Sequence, residues 1–152
     1  MIFEIPNRDY LDLRTIILDM NGTITVKGKL IKGVAKRLKK LEKLGYRIIL
    51  LTGDQRKTAE KLCKKLDIDY VVCKDAEEKG TEILSLGPEH CVAIGNARID
   101  IETFKHAKLS ILVIEGEGIH AETIPFCDII VKSINDALDI VIDKDSLIAT
   151  MK

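Results

Sequence analysis

The sequence predicts a doubly wound α/β protein, on three observations. Apolar, β-branched runs alternate along the chain with charged amphipathic stretches. The runs are nearly continuously apolar, as strands buried on both faces of a parallel sheet are, rather than alternating as half-exposed strands do. The polar residues of most interest follow these runs directly, at the strand ends where open α/β sheets bind their ligands.

Taken in order, Thr15–Leu18 reads as the first strand and Gly33–Leu44 as a helix with Val34, Leu38 and Leu41 on one face. Gly45 ends that helix, as a residue tolerant of positive φ should. Arg47–Leu51 is the second strand, and Gln55–Leu66 the helix behind it. Tyr70–Val72 forms a short third strand, with a helix from Lys79 to Leu86. Cys91–Ile94, Leu109–Val113 and Asp128–Val131 supply strands four to six, with helices over Ile101–Ala107 and Ile134–Val141. A doubly wound sheet of this kind has strand order 3-2-1-4-5-6 and is mainly parallel and six-stranded. The 152 residues make one domain, 1–152, with residues 1–13 and 144–152 as peripheral tails. A domain of this length buries roughly 68–70% of its unfolded surface, enough for one stable core.

Composition excludes several classes. With 24 basic and 24 acidic side chains and a pI near 6.8, the chain has no field for gripping nucleic acid or an anionic membrane. Its apolar stretches fall far short of the ~20 residues a membrane span requires. The first residues carry early acids and no basic-then-apolar signal, so a cytoplasmic location is expected. Cys63, Cys73, Cys91 and Cys127 form no C-x-x-C pair and read as free, mostly buried thiols. His90, His106 and His120 are too scattered for a metal motif. Eighteen lysines against one glutamine and no tryptophan is the bias of heat-adapted proteins.

Three strand ends carry chemistry. Asp19-Met-Asn-Gly-Thr23 puts a carboxylate at the end of strand one, followed by a glycine turn whose N–H groups can meet phosphate oxygens. Beside Mg²⁺ such a carboxylate is a competent nucleophile toward phosphorus; on its own the run fits equally an ordinary turn with Asn-Gly chemistry. Thr52 and Gly53, after strand two, offer a hydroxyl and N–H groups to the same anion, although Thr52 or Asp54 also reads as a simple helix cap. Lys79 opens the next predicted helix and can reach back to that anion, or is one more solvated lysine. Asn96 and Asp100 follow strand four, beside strand one, with the hard oxygen donors that suit Mg²⁺.

Together these runs resemble the haloacid dehalogenase superfamily, and more narrowly the phosphorylation domain of P-type ATPases standing alone. Asp19-Met-Asn-Gly-Thr-Ile-Thr25 is similar to the D-K-T-G-T-L-T of the pumps, and Leu51–Ala59 to their L-T-G-D-n-x-x-T-A run. Lys79 stands 16 residues before Gly95, about the spacing of the family lysine from its G-D-G-x-N-D. The resemblance covers residues 15–114 and implies a Rossmann-like core. It implies Asp19 as the nucleophile forming an aspartyl-phosphate, and Thr52 and Lys79 as phosphate ligands. Gly22 and its neighbours would supply N–H groups. Mg²⁺ would be held by Asp19, the Asn21 carbonyl, Asn96 and Asp100.

The departures are equally informative. Asn21 stands where most phosphatases of the superfamily have the Asp that protonates the leaving oxygen, a contribution of about 10²–10⁴-fold. Turnover should therefore be slow. Asn96 and Ile99 replace an Asp and an Asn of the fourth motif, which should weaken Mg²⁺ binding. Only 28 residues separate Thr23 from Thr52, and 26 separate Thr52 from Lys79, so there is no nucleotide-binding insert and no cap. ATP-driven transport is excluded, and Val26–Leu30 is at most a flap. The expected partner is a small phosphorylated substrate or a phosphoprotein, with a homo-oligomer as one way to close the open site. The expected function is a slow Mg²⁺-dependent phosphatase; the alternative is a regulatory phosphate-binding module with negligible turnover.

Overall fold

The computed structural model describes residues 1–53 and 58–152. In chain order the elements are β1 (Ile2–Phe3), β2 (Leu11–Asp12), β3 (Thr15–Leu18), β4 (Thr25–Val26), β5 (Lys29–Leu30), α1 (Val34–Lys43), β6 (Arg47–Thr52), α2 (Thr58–Leu66), β7 (Asp69–Val72), α3 (Ala76–Ser85), β8 (Cys91–Gly95), α4 (Ile101–His106), β9 (Leu109–Val113), β10 (Ile129–Val131), α5 (Ile134–Ile142) and α6 (Lys144–Met151). Six of the strands make one parallel sheet in the order β10-β9-β8-β3-β6-β7. Numbered by the six runs of the sequence, this is the expected 3-2-1-4-5-6.

Strand pleating sorts the core. Ile16, Leu18, Ile48, Leu50, Val92, Ile94, Ile111 and Val113 face α1, α2 and α5 in the largest apolar cluster. Ile17, Ile49, Leu51 and Ala93 alternate onto the other face, where Ile83 of α3 and Phe104 of α4 cover them. Helix α1 presents Val34, Leu38 and Leu41 to the sheet and stops in a Schellman motif. There Gly45 (φ 94°) donates to the Glu42 carbonyl at 2.9 Å and Tyr46 to that of Leu41 at 3.1 Å. The reversal of winding falls between β3 and β8, so the ligand crevice opens beyond their carboxyl ends.

Two expectations change. The terminal segments are part of the core rather than peripheral tails. Phe3, Leu11, Leu13 and Leu147 are buried in the largest cluster, because β1 and β2 pair antiparallel and α6 packs on α5 and β1. Helix α3 starts at Ala76 rather than Lys79. Asp75 caps it by accepting from the Glu78 N–H at 2.9 Å, and the Glu78 carboxylate reaches back to the Lys74 N–H at 2.7 Å. Lys79 thereby sits in the second turn, facing the sheet. The expected start of the preceding helix at Gln55 and the cap at Asp54 lie outside the described residues.

The flap is a hairpin, β4–β5, whose two turn residues Lys27 (φ 50°) and Gly28 (φ 75°) both have positive φ, matching the twist of the strands they join. Among the described residues, this hairpin is the only regular element between β3 and α1, and no helix is long and apolar enough to cross a membrane.

Candidate active site

Strand β3 ends at Leu18, paired to Leu50 on one side and Ile94 on the other, so Asp19 emerges at the centre of the carboxyl edge. Its N–H still donates to the Ile94 carbonyl at 3.0 Å, which fixes the direction of the side chain. Lys79, only 1% exposed, reaches over from α3 and donates to Asp19 Oδ1 at 2.7 Å and to Asp100 Oδ1 at 2.9 Å. A buried ammonium between two buried carboxylates thus joins segments 60 and 21 residues apart.

Asp100 is held from behind. Its Oδ2 accepts the N–H groups of Asn96 and Ala97, both at 3.0 Å, and closes the turn after β8. Gly95 permits this fold-back, since a Cβ there would lie 2.5 Å from Asp100 Oδ2. On the other side, the Thr23 hydroxyl stands 3.4 Å from Asp19 Oδ2 and 3.2 Å from Asn96 Oδ1. Thr23 closes a small ring, since Met20 O accepts from the N–H groups of Thr23, Ile24 and Thr25.

The electrostatics follow from burial. Loss of solvent, together with the charge on Asp100, pushes the Asp19 carboxyl up to about 6 against the pull of Lys79. Burial alone would depress the Lys79 ammonium, but Asp100 and Asp19 outweigh it and hold its pKa above the ordinary lysine value. Two carboxylates and one ammonium leave a net negative charge, which attracts a cation and repels a phosphate arriving without one.

The donor chemistry fits Mg²⁺. The one Thr23 hydroxyl proton can go to only one of Asp19 Oδ2 and Asn96 Oδ1 at a time, so two hard oxygens share a single hydroxyl there. Among the described residues no three His, Cys, Asp or Glu side chains gather as a metal cage. Asn96 brings an amide oxygen to the cluster.

The sequence-derived candidates therefore divide. Asp19, Lys79, Asp100 and Asn96 meet. Thr52, buried at the end of β6, and Gly53 line the neighbouring strand end, with Ile99 Cδ1 lying 3.4 Å from a Cβ built on Gly53. Gly22 (φ 77°) lies against the Asn96 amide, whose Nδ2 would be 2.2 Å from any Cβ there. Asn21 is exposed in the loop that follows Asp19. Thr23 and Gly118 went unassigned from sequence. Thr23 lies within the recognised run, so that run could have identified it; Gly118 contributes only a backbone carbonyl, which leaves no mark in sequence.

Fold and site together define a doubly wound α/β protein with an acid–lysine–acid cluster at its topological switch point. A family model for haloacid dehalogenase-like hydrolases matches residues 26–108, and the chain belongs to that family. It is 46% identical over 61 residues to an uncharacterized protein of Methanocaldococcus jannaschii, covering 40% of this chain and 66% of that one. To the copper-transporting ATPase ccc2 of Schizosaccharomyces pombe it is 34% identical over 88 residues, 55% of this chain but only 10% of the pump. Among solved structures, 3-deoxy-D-manno-octulosonate 8-phosphate phosphatase from Moraxella catarrhalis, crystallised with magnesium, phosphate and KDO, superposes with a TM-score of 0.72. That match covers 93% of this chain and 95% of the phosphatase at 18% identity, a likeness of fold. The resemblance to the phosphorylation domain of P-type ATPases holds in a chain that spans about a tenth of such a pump.

Proposed function

We propose that the protein is a Mg²⁺-dependent phosphatase in which Asp19 is the nucleophile. The observation that carries this reading is the buried Lys79 ammonium bridging Asp19 and Asp100 at the carboxyl edge of the sheet. The Asp19 carboxylate attacks phosphorus in line; an Asp19 O–P bond forms as the bond to the leaving oxygen breaks. Water then attacks the aspartyl-phosphate, releasing phosphate and restoring the carboxylate. Lys79 offsets charge on the transferring group, while Thr52, Gly53 and the N–H groups around Asn21 and Gly22 orient its oxygens. Asp19, Asn96 and the Asn21 carbonyl would hold Mg²⁺, with Asp100 adding its charge beside them. Bound there, the ion offsets the repulsion between phosphate oxygens and the attacking carboxylate.

Asn21 can neither give nor take a proton, so the leaving oxygen draws its proton from solvent and turnover is slow. The substrate is a small phosphorylated compound or a phosphoprotein, which no cap domain would obstruct. The amides at positions 21 and 96 also favour a second reading, a phosphate-binding regulatory module.

The test is Mg²⁺-dependent hydrolysis of p-nitrophenyl phosphate, acetyl phosphate and sugar phosphates, run beside Asp19→Asn. Turnover by the wild type and none by the variant is expected, with hydroxylamine-labile phosphate on Asp19. Undiminished hydrolysis by Asp19→Asn overturns the covalent mechanism. Binding of Mg²⁺ and phosphate without turnover of any substrate selects the regulatory reading.

A further inference from the structure

Asn96 reads in sequence as a degraded carboxylate, but its surroundings are built for an amide. All four of its polar groups are engaged, each with a different residue. Its N–H donates to Asp100 Oδ2 and its carbonyl accepts from the His120 N–H, both at 3.0 Å. Its Oδ1 takes the Thr23 hydroxyl at 3.2 Å, and its Nδ2 donates to the Gly118 carbonyl at 3.0 Å. Gly118 offers only an acceptor there, so the side chain must present a donor; this fixes which end of the amide faces Asp19. Gly22 leaves the room, since any Cβ at that position would collide with Nδ2.

The other partner in this arrangement is the segment 114–120 that follows β9. It is tied inward by Asn96 at Gly118 and His120. It is tied outward to the β4–β5 hairpin, where Glu117 Oε2 accepts the Lys27 N–H at 3.2 Å and Val26 Cγ1 lies 3.0 Å from a Cβ built on Gly116. The Asn96 side chain, in a residue 6% exposed, thus joins segment 114–120 to the first loop, while Glu117 and Gly116 join the segment to the hairpin.

We infer that Asn96 is a positioning residue whose amide locks segment 114–120 against the first loop, so that this segment forms a fixed wall of the substrate entrance. An aspartate would keep an oxygen near Thr23 but present a second one, without a proton, to the Gly118 carbonyl. The inner tie then becomes a repulsion. The catalytic side of this inference rests on the phosphatase reading; the tie itself does not.

The experiment compares wild type, Asn96→Asp and Asn96→Ala by amide hydrogen exchange in metal-free buffer, and by steady-state kinetics on the substrate the screen selects. Loss of the tie should speed exchange at Gly118 and His120 by about tenfold or more in both variants, while amides in β3 and β6 are unchanged. With Mg²⁺ saturating, which offsets the lost Asn96 oxygen, KM should rise more than kcat falls, because a loosened wall weakens substrate placement before it touches the nucleophile. If Asn96→Asp does not fold, the neutral Asn96→Ala carries the same exchange comparison. Unchanged exchange at Gly118 and His120 overturns the inference. So does an Asn96→Asp protein with wild-type KM and raised kcat, the result expected if the position simply lacks a carboxylate. Should no phosphatase activity be found, the exchange comparison still decides the positional claim.

Discussion

Replacing Asp19 by Asn should stabilise the protein. Burial and the charge on Asp100 raise the Asp19 pKa from 3.8 to about 6. The folded chain therefore binds that proton more tightly than the unfolded chain. The associated stability is complete below the unfolded value of 3.8 and is lost as pH rises through about 6. At 1.36 kcal/mol per pKa unit, the ionised carboxylate costs up to about 3 kcal/mol at neutral pH. Asparagine keeps the shape without the charge, so the variant should be more stable by up to that amount at pH 7.5, roughly 6–12 °C in Tm for a chain of this length. The gap should shrink toward zero by pH 4, where Asp19 in the wild type is protonated too. Urea unfolding of both proteins from pH 4 to 8, with chelator present, measures it directly. Added Mg²⁺ should narrow the gap at pH 7.5 by stabilising the wild type alone. An Asp19→Asn protein no more stable than wild type at pH 7.5, or a gap that does not vary with pH, refutes the reasoning.

Asn21→Asp supplies a group that can carry a proton, so turnover of sugar phosphates at saturating Mg²⁺ should rise by about 10²–10⁴-fold. Acetyl phosphate should gain less in the first step, and phosphoenzyme lifetime should fall for every substrate. No change in either quantity removes Asn21 from the acid–base position. Lys79→Met leaves two buried carboxylates without their cation and should cost about 3–5 kcal/mol at neutral pH by urea unfolding. The loss should ease as acid protonates Asp19, and a loss below about 1 kcal/mol would contradict the bridging geometry.

Much of this was legible in the residues, and the exceptions have identifiable causes. The six apolar runs announce the sheet because each strand is buried on both faces, and a parallel strand cannot hide that pattern. Asp19, Asn96 and Asp100 announce themselves by standing where such runs end. Lys79 is different: nothing local distinguishes it among eighteen lysines, and its burial depends on an Asp75 cap that starts α3 a turn early. The terminal segments escaped because β1 and β2 are two residues each, too short for periodicity, although Leu11 and Leu13 already share one side of an extended chain. The Asn96–Gly118 tie escaped because its acceptor is a main-chain carbonyl 22 residues away. Its donor is an amide that seemed a loss only because a carboxylate was expected there.

Strand β3, finally, is hydrogen-bonded along both edges, and all four of its residues are buried. Freeing it means breaking β6 and β8 away as well, so this stretch opens only when the whole molecule does. The β4–β5 hairpin, by contrast, is a two-stranded sheet of its own at the rim and rearranges at smaller cost. Asp19 is thus anchored to the last part of the molecule to open, and the hairpin to one of the first. Substitutions in the hairpin therefore leave the geometry around Asp19 as it is.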